Sequence, residues 1–338
     1  MKCFRYLSSL MLIVLVAFSP LPALASETEE LVVYSARKEH LIKPLFDAYT
    51  KETGVKITYA TDKAGPLLQR LKSEGANTKA DLLITVDAGN LWYAAEEGLL
   101  QSLDSEVLTA NVPQALRDPQ SRWFGLSKRC RTIVYSTDRV DPAELTTYES
   151  LGDAKWKGRL LLRTAKKVYN QSLVAMLIAE NGEAATEKIV KSWVENLAAA
   201  PFSNDTKTME AILAGQGDVA VVNTYYFGRL QKKNPGVKLA LFWPNQKTGG
   251  VHVNVSGAGI VKASKNKAAA IKFLEWLSSE KAQNLFADAN LEYPVNPKVK
   301  PHDQVAAWGD FKDNDINLAK AGELQAAAIK LMDRAGYR

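Results

Sequence analysis

Cysteine and histidine are scarce in this chain, with two cysteines and three histidines among 338 residues. Cys3 lies in an amino-terminal stretch that we expect to be removed, so only Cys130 remains and an intramolecular disulfide is excluded. A catalytic thiol at Cys130 would need a histidine partner, and the sequence indicates none for it. His252 and His302 have no Cys, His or carboxylate neighbour at the spacing of a zinc site. The sequence therefore argues against a thiol enzyme and against a zinc domain.

Charge of one sign is not concentrated anywhere in the chain. The 43 Lys and Arg residues nearly balance the 37 Asp and Glu residues, which leaves a formal net charge of +6 without a basic run. This pattern does not indicate a nucleic-acid partner. The chain also has no internal repeat, low-complexity tract or heptad pattern. Its length is enough for two lobes of ordinary domain size.

The amino terminus has the pattern of an export signal. Lys2 and Arg5 form a basic start, residues 7–18 form an apolar run too short to span a membrane, and Ala23 and Ala25 are small residues at cleavage positions. We expect residues 1–25 to be a signal peptide cleaved after Ala25, and the mature protein to be periplasmic. A retained amphipathic anchor is the alternative.

Hydrophobic patterns alternate between strand and helix along both halves of the chain. In the first half we predict strands at 31–34, 55–59 and 81–86 and helices at 41–49, 67–71 and 91–97. In the second half we predict strands at 132–135, 159–162, 218–222 and 255–261 and helices at 172–181, 209–213, 268–278 and 323–331. This alternation predicts an α/β fold of two lobes, each a mostly parallel sheet flanked by helices, with ligands at the carboxyl ends of strands.

The predicted elements also suggest how the chain is divided. We expect residues 26–128 to form the first part of the amino-terminal lobe and 129–254 the carboxy-terminal lobe. Residues 255–302 would return to the amino-terminal lobe, and residues 303–338 would form a helical segment packed on the carboxy-terminal lobe. Lobes joined by crossing strands explain why no Gly/Ser-rich linker is visible. The crossing strands near Thr132 and Val255 would serve as the hinge.

Two adjacent tyrosines, Tyr225 and Tyr226, follow the predicted strand 218–222. Neighbouring side chains of a strand point to opposite faces, so the two phenols can share a ligand only where the strand has ended. Asn223 and Gly228 place them at a strand-to-helix turn. Tyr169 lies at a similar junction, after strand 159–162 and before helix 172–181. Three phenols from two turns can therefore meet at one point.

Phenol oxygens are unusual metal ligands because their ordinary pKa is about 10, so binding must drive off a proton. A hard trivalent cation can do so, and Fe³⁺ is the biologically common one. The alternative is that the adjacent tyrosines are ordinary packing residues. Three phenolates match the charge of Fe³⁺ but fill only half of the roughly six positions of an octahedral ion.

The whole mature chain resembles the bacterial periplasmic ferric-ion-binding proteins, which are the iron-binding subunits of ABC importers and type II periplasmic binding proteins. The segments that carry the resemblance are VYSAR at 33–37, KADL at 79–82, SKRCR at 127–131, VYNQ at 168–171, NDT at 204–206 and NTYY at 223–226. In this family the paired tyrosines and, in one subgroup, the earlier tyrosine bind Fe³⁺. The resemblance implies that Tyr169, Tyr225 and Tyr226 are the metal ligands.

The chain departs from many relatives just after its VYSAR segment. Those relatives have a His, or His followed by Tyr, which adds a ligand from the first lobe, whereas this chain has Lys38 and Glu39. The resemblance is therefore to the three-tyrosine subgroup, in which carbonate or another small synergistic anion completes the iron shell. Glu39 is a possible carboxylate ligand, and the alternative is a solvated first helical turn. His40 lies too far along to match the family's ligand.

An anion beside the iron would need a cationic partner. Arg129 resembles the arginine that serves this purpose in relatives, and its planar guanidinium suits a bidentate anion. Arg37 is a second candidate. Three asparagines could orient the phenolates or the anion by hydrogen bonds: Asn170, Asn204 and Asn223.

The sequence thus predicts a non-enzymatic, monomeric periplasmic receptor that delivers Fe³⁺ to an inner-membrane ABC permease. A receptor for an oxyanion or small organic ion on the same fold is the alternative, with the tyrosines as an aromatic wall. A secreted hydrolase or transferase using Cys130 or a carboxylate pair is the alternative from another class.

Overall fold

The structure is a computed structural model that describes residues 29–338. The predicted signal peptide and its cleavage site lie outside these residues. Within the described part, no helix combines the length and the apolar character needed to cross a membrane.

Nine strands and thirteen α-helices make up residues 29–338. The strands are β1 (Glu30–Ser35), β2 (Lys56–Thr61), β3 (Leu82–Thr85), β4 (Phe124–Ser136), β5 (Leu160–Leu161), β6 (Val219–Asn223), β7 (Leu239–Phe242), β8 (Val253–Ile260) and β9 (Tyr293–Pro294). The helices of the first third are α1 (Glu39–Thr53), α2 (Ala64–Glu74), α3 (Ala88–Glu96) and α4 (Glu106–Asn111). The middle third contains α5 (Val168–Asn181), α6 (Glu183–Glu195), α7 (Asp205–Leu213) and α8 (Thr224–Lys233). The last helices are α9 (Lys267–Leu277), α10 (Glu280–Asn290), α11 (Asp303–Ala306), α12 (Ala319–Glu323) and α13 (Gln325–Arg334).

Two sheets share the long strand β4, and each sheet with its helices forms a lobe. In the first lobe the strand order is β2-β1-β3-β8-β4, and the first half of β4 pairs with β8 through residue 130. From residue 131 onward β4 pairs with β6 and β7 of the second lobe, where β5 lies beyond β6. A 13-residue strand is long enough to serve both sheets, so β4 carries the chain from one lobe to the other.

The predicted α/β class is confirmed, but the sheets are mixed instead of mostly parallel. β1 pairs in parallel with β2 and β3, and β5 with β6, while the other five pairings are antiparallel. The reason is the pair of crossing strands. β4 leaves the first lobe and β8 returns to it, so the two strands are antiparallel. An apolar run in the sequence predicts a strand but not whether its neighbours are parallel or antiparallel.

Burial explains why these segments form strands. Every residue of β3, β6 and β8 is buried, which is the pattern of strands covered on both faces. Local caps define the helices that follow. The Asp87 carboxylate accepts a hydrogen bond from the Gly89 amide at the start of α3, and Asn204 accepts from the Lys207 amide at the start of α7.

The carboxy-terminal segment contacts both lobes. α13 packs on α5 and α6 of the second lobe, whereas α12 packs between α5 and α3 of the first lobe. The contact with α3 depends on small residues, because a Cβ at Gly322 would lie 2.6 Å from Trp92 Cε3. The expectation that residues 303–338 pack on the second lobe is therefore incomplete, since Gly322 allows a close approach to α3 that helical periodicity does not reveal.

Candidate metal centre

The three tyrosines lie in the first turns of two helices. Tyr169 is the second residue of α5, and Tyr225 and Tyr226 are the second and third residues of α8. α8 follows β6 directly, and α5 comes a few residues after β5, the parallel neighbour of β6. The phenols therefore meet at the carboxyl edge of parallel strands, where the positive ends of two helix dipoles favour negative charge.

One cavity brings these phenols together with groups of the first lobe. Its volume is about 180 Å³. The lining includes Tyr169, Tyr225, Tyr226, Arg129 and Arg229, together with Arg37, Lys38, Asn290 and Glu292. The rings of Tyr225 and Tyr226 lie side by side, with centroids 4.5 Å apart. The cavity is therefore lined by charged and aromatic side chains from both lobes.

Tyr225 does not ionise on its own in this setting. Burial raises the pKa of its phenol well above the ordinary value, and the charges that Tyr169 and Tyr226 would carry raise it further, against the lowering effect of Arg129. The Nδ2 atom of Asn223 donates a hydrogen bond to the Tyr225 hydroxyl at 3.1 Å. A cation that replaces the proton would relieve the unfavourable charge, so this phenol suits a strongly charged metal ion.

Three arginines surround the tyrosine rings. The Cζ atom of Arg163 lies 5.1 Å from the ring centroid of Tyr169, and that of Arg129 lies 5.5 Å from the same ring. The Cζ atom of Arg229 lies 5.2 Å from the Tyr225 centroid. These contacts are within the range of cation–π interactions. They make the surroundings of the phenols positive and favour an anion beside any bound metal.

Two of these arginines have buried donors without a hydrogen-bond acceptor among residues 29–338: Arg163 at Nε and Nη1, and Arg129 at both Nη atoms. Arg129 is 3% exposed. Asp87 lies near, with its Oδ2 3.6 Å from Nη2, and burial raises the pKa of this carboxyl against the opposing charge of Arg129. A buried guanidinium with unpaired donors is costly, so these donors are suited to an anion in the cavity.

Arg37, the second anion candidate, is already engaged. Its Nη1 donates to Ser127 at 3.2 Å, to Ser256 at 2.6 Å and to Glu292 at 3.1 Å. Burial alone would raise the pKa of Glu292, but the charge of Arg37 and the hydrogen bond from Ser127 outweigh it and lower the pKa below its ordinary value. The pair therefore stays charged, and Arg37 links β4 to β8 through Ser127 and Ser256. Because its Nη1 already has three acceptors, Arg37 is less available to an anion than Arg129.

The three asparagines occupy different positions. Asn223 contacts the Tyr225 hydroxyl directly, as described above. Asn170 accepts a hydrogen bond from Arg131 Nε at 2.8 Å and donates to the Arg163 carbonyl at 2.8 Å, so it lies one layer behind the phenols. Asn204 caps α7 and lies outside the cavity lining. Of the three asparagines, only Asn223 is hydrogen-bonded to a phenol, and neither Asn170 nor Asn204 lines the cavity.

Glu39 is directed away from the tyrosines. Its carboxylate accepts a hydrogen bond from the Tyr59 hydroxyl at 2.8 Å on the exposed face of α1. Lys38, immediately before it, lines the cavity. Among the described residues, no group of three or more His, Cys, Asp or Glu side chains is arranged to hold a metal. A metal in this cavity would therefore depend on the phenol oxygens.

The sequence matches a family model over residues 44–313, and that model describes bacterial extracellular solute-binding proteins. The chain belongs to this family. The solute-binding protein is 44% identical over 326 residues to iron uptake protein A1 of Synechocystis, an alignment covering 95% of this chain and 91% of the relative. The predicted resemblance to ferric-ion-binding proteins is confirmed by such relatives.

Two solved structures also resemble the solute-binding protein. A Trichodesmium protein in complex with iron and citrate ligands is 43% identical with a TM-score of 0.88, and the match covers 91% of this chain and all of the other. The ferric binding protein of Campylobacter jejuni is 36% identical with a TM-score of 0.84, with the same coverage. These names describe binding and uptake proteins, in agreement with the predicted receptor class. The three-tyrosine subgroup stays a prediction.

Several charged or polar residues around the site of the solute-binding protein were not predicted from its sequence. Arg229 follows Tyr225 by four positions in α8, so helical spacing places both on one face and could have revealed it. Arg163 follows directly after a predicted strand whose end faces the ligand, which is a weaker signal. Glu292 and Asn290 reach the cavity from a distant part of the chain, and no local pattern indicates them.

Proposed function

We propose that this solute-binding protein is a periplasmic receptor for Fe³⁺ that delivers the ion to an inner-membrane ABC permease. The arrangement of Tyr169, Tyr225 and Tyr226 around one cavity carries the proposal. Three phenolates supply three negative charges and hard oxygen donors, which match Fe³⁺ and suit Zn²⁺ or Cu²⁺ poorly. The relatives named as iron uptake and ferric binding proteins support the same conclusion. Transfer of the ion requires no chemical conversion, so the proposed role is that of a binding subunit and not of an enzyme. The proposed subunit is a monomer.

The proposed route to the periplasm is export with cleavage after Ala25, which the amino-terminal pattern supports. The two lobes then close over the ion by rotation about the crossing strands β4 and β8, close to Thr132 and Val255. β4 runs through both lobes, and β8 begins beside it where β4 passes from one lobe to the other. Strands in these positions can act as a hinge.

Metal loading tests the proposed function directly. We expect the purified mature protein to take up one Fe³⁺, to turn red to orange through phenolate-to-iron charge transfer, and to lose the colour on reduction in the presence of a chelator. Zn²⁺ should compete poorly. A colourless protein that binds Zn²⁺ more tightly than Fe³⁺ would falsify the proposal.

The same cavity supports a second candidate, a receptor for an oxyanion or small organic ion. The unpaired Nη atoms of Arg129 favour it, because a buried guanidinium fork binds such groups without a metal. The two candidates differ in their need for iron. An oxyanion receptor would bind phosphate or carboxylate ligands equally well in the presence of a strong iron chelator.

In the Fe³⁺ receptor, we propose that a small synergistic anion such as carbonate occupies the iron positions that the phenolates leave, held by Arg129. Arg129→Ala should then weaken Fe³⁺ binding by about tenfold or more, because hydrogen bonds to charged groups contribute about 1.5–3 kcal/mol. The variant should also lose the dependence of affinity on dissolved bicarbonate. Both effects are measured by competition with a chelator in bicarbonate-free and bicarbonate-containing buffers.

Two matched variants sharpen this test. Arg129→Lys keeps the charge but removes the planar fork, so it should restore only part of the affinity. Glu39→Gln should leave affinity unchanged, since its carboxylate is directed to Tyr59. Affinity indifferent to both bicarbonate and Arg129, or a strong loss in Glu39→Gln, would contradict the anion model while leaving Fe³⁺ binding itself intact.

A further inference from the structure

Arg229 connects the tyrosine pair to the opposite lobe. Its guanidinium lies over both rings, with Cζ 5.2 Å from the Tyr225 centroid and 5.6 Å from the Tyr226 centroid. The Nη2 atom of the same guanidinium donates a hydrogen bond to Oδ1 of Asn290. Asn290 is the last residue of α10, which packs on α1 and α9 of the first lobe. One side chain therefore lies over the tyrosine rings of one lobe and is hydrogen-bonded to a side chain of the other.

Asn290 continues the connection into the hinge. Its Nδ2 donates to Glu292, and Glu292 also accepts hydrogen bonds from Ser127 on β4 and from Arg37. Arg37 donates in turn to Ser256 on β8. Asn290 and Glu292 are 5% and 3% exposed, so this part of the path is shielded from water. The hydrogen bonds run without interruption from Arg229, which lies over the tyrosine rings, to both crossing strands.

A second contact shows that the lobes approach closely at the same place. A Cβ at Gly228, the residue before Arg229, would lie 2.6 Å from Cδ1 of Leu291, the residue after Asn290. Real Cβ atoms do not come this close to a neighbour, so a larger residue at position 228 would force the Leu291 side chain to shift. The exposed Arg229 thus contacts Asn290 beside a close approach of α8 to the end of α10.

We propose that Arg229 is a positioning residue that clasps the two lobes through Asn290 and thereby slows the release of Fe³⁺. The inference rests on the proposed function. Ligands confined to one lobe do not by themselves hold the lobes together, because a ligand shifts a conformational equilibrium only through contacts that differ between the two states. The clasp supplies such a contact, since Arg229 lies against the phenols that bind the ion and reaches across the cleft.

The test is a double-mutant cycle on the rate of Fe³⁺ release into excess chelator, with Arg229→Met and Asn290→Ala as the single variants. Asn290→Ala should raise the release rate about tenfold in the wild-type background and less than twofold in the Arg229→Met background, because the contact is already lost there. Lys232→Met also replaces a positive charge by methionine at another exposed position of α8 and should leave the rate unchanged. Equal fold-changes for Asn290→Ala in both backgrounds overturn the clasp.

One further measurement keeps failure of the clasp separate from failure of iron binding. It is the radius of gyration of the iron-free proteins by small-angle scattering, which should rise in Arg229→Met and Asn290→Ala but not in Lys232→Met. An unchanged radius together with additive release rates contradicts the clasp even if iron binds. If the wild type takes up no Fe³⁺, the proposed function fails, and the scattering comparison still decides whether Arg229 holds the lobes. Asn290→Ser, with a shorter polar side chain, replaces Asn290→Ala if the latter unfolds.

Discussion

Replacing Tyr225 or Tyr226 by phenylalanine is expected to abolish the visible band and to weaken Fe³⁺ binding by more than about a hundredfold. The substitution keeps the packed ring and removes only the oxygen that would bond the metal. A loss larger than about a hundredfold is expected because even partners outside the metal's own ligands cost 10–100-fold when removed. The measurement is a titration with Fe³⁺ followed by visible absorbance and by chelator competition.

The control for this prediction is another phenol of the same chain. Tyr59→Phe removes a hydroxyl that is bonded to Glu39 outside the cavity, so its iron binding should equal that of the wild type. The iron-free Tyr226→Phe protein should change in free energy of unfolding by about 1 kcal/mol or less, whereas Tyr225→Phe should cost about 1–3 kcal/mol because Nδ2 of Asn223 loses its acceptor. Normal loading of Tyr226→Phe would show that the pair is structural. Tyr169→Phe should weaken binding less, because a water or anion can replace its oxygen.

Acid is expected to weaken Fe³⁺ binding steeply. Burial raises the pKa of Tyr225 above its ordinary value, so this phenol carries its proton in the iron-free protein and must release it to bind the metal. A phenol that loses its proton on binding makes the affinity fall by about tenfold for every pH unit below its pKa. Affinity therefore rises with pH and falls as the solution becomes acidic.

Proton release can be counted directly. Adding Fe³⁺ to the iron-free protein in a weakly buffered solution with an indicator dye should release at least the proton of Tyr225, after correction for hydrolysis of the iron salt. The thermal stabilisation by iron should also shrink as pH is lowered. An affinity that does not change between pH 5.5 and 7.5 would contradict binding by phenols that are protonated in the free protein.

The fold and the position of the tyrosines could be predicted because their signals are local. Asn223 and Thr224 mark the end of β6 and the start of α8, which is enough to bring Tyr225 and Tyr226 together in the first turn of the helix. The apolar run near Val255 likewise indicated the crossing strand β8. The direction of pairing along β4 was not predictable, since hydrophobicity is the same for parallel and antiparallel neighbours.

The charged surroundings of the phenols depend on contacts between distant parts of the chain. Glu292 meets Arg37 although 255 positions separate them, and no periodicity links two such residues. The same holds for Gly322, whose close contact with Trp92 brings α12 onto the first lobe. Arg229 is the exception, since its spacing from Tyr225 in α8 was available in the sequence.

The most direct test of the account is the resonance Raman spectrum of the iron-loaded protein, excited within its visible band. Iron bound by Tyr169, Tyr225 and Tyr226 should enhance the ring vibrations of tyrosinate, and Tyr59→Phe should leave these bands unchanged. Loss of the enhancement in the protein with all three tyrosines replaced by phenylalanine would complete the assignment. An iron-loaded wild type without tyrosinate bands would contradict the central claim that phenolates hold the metal.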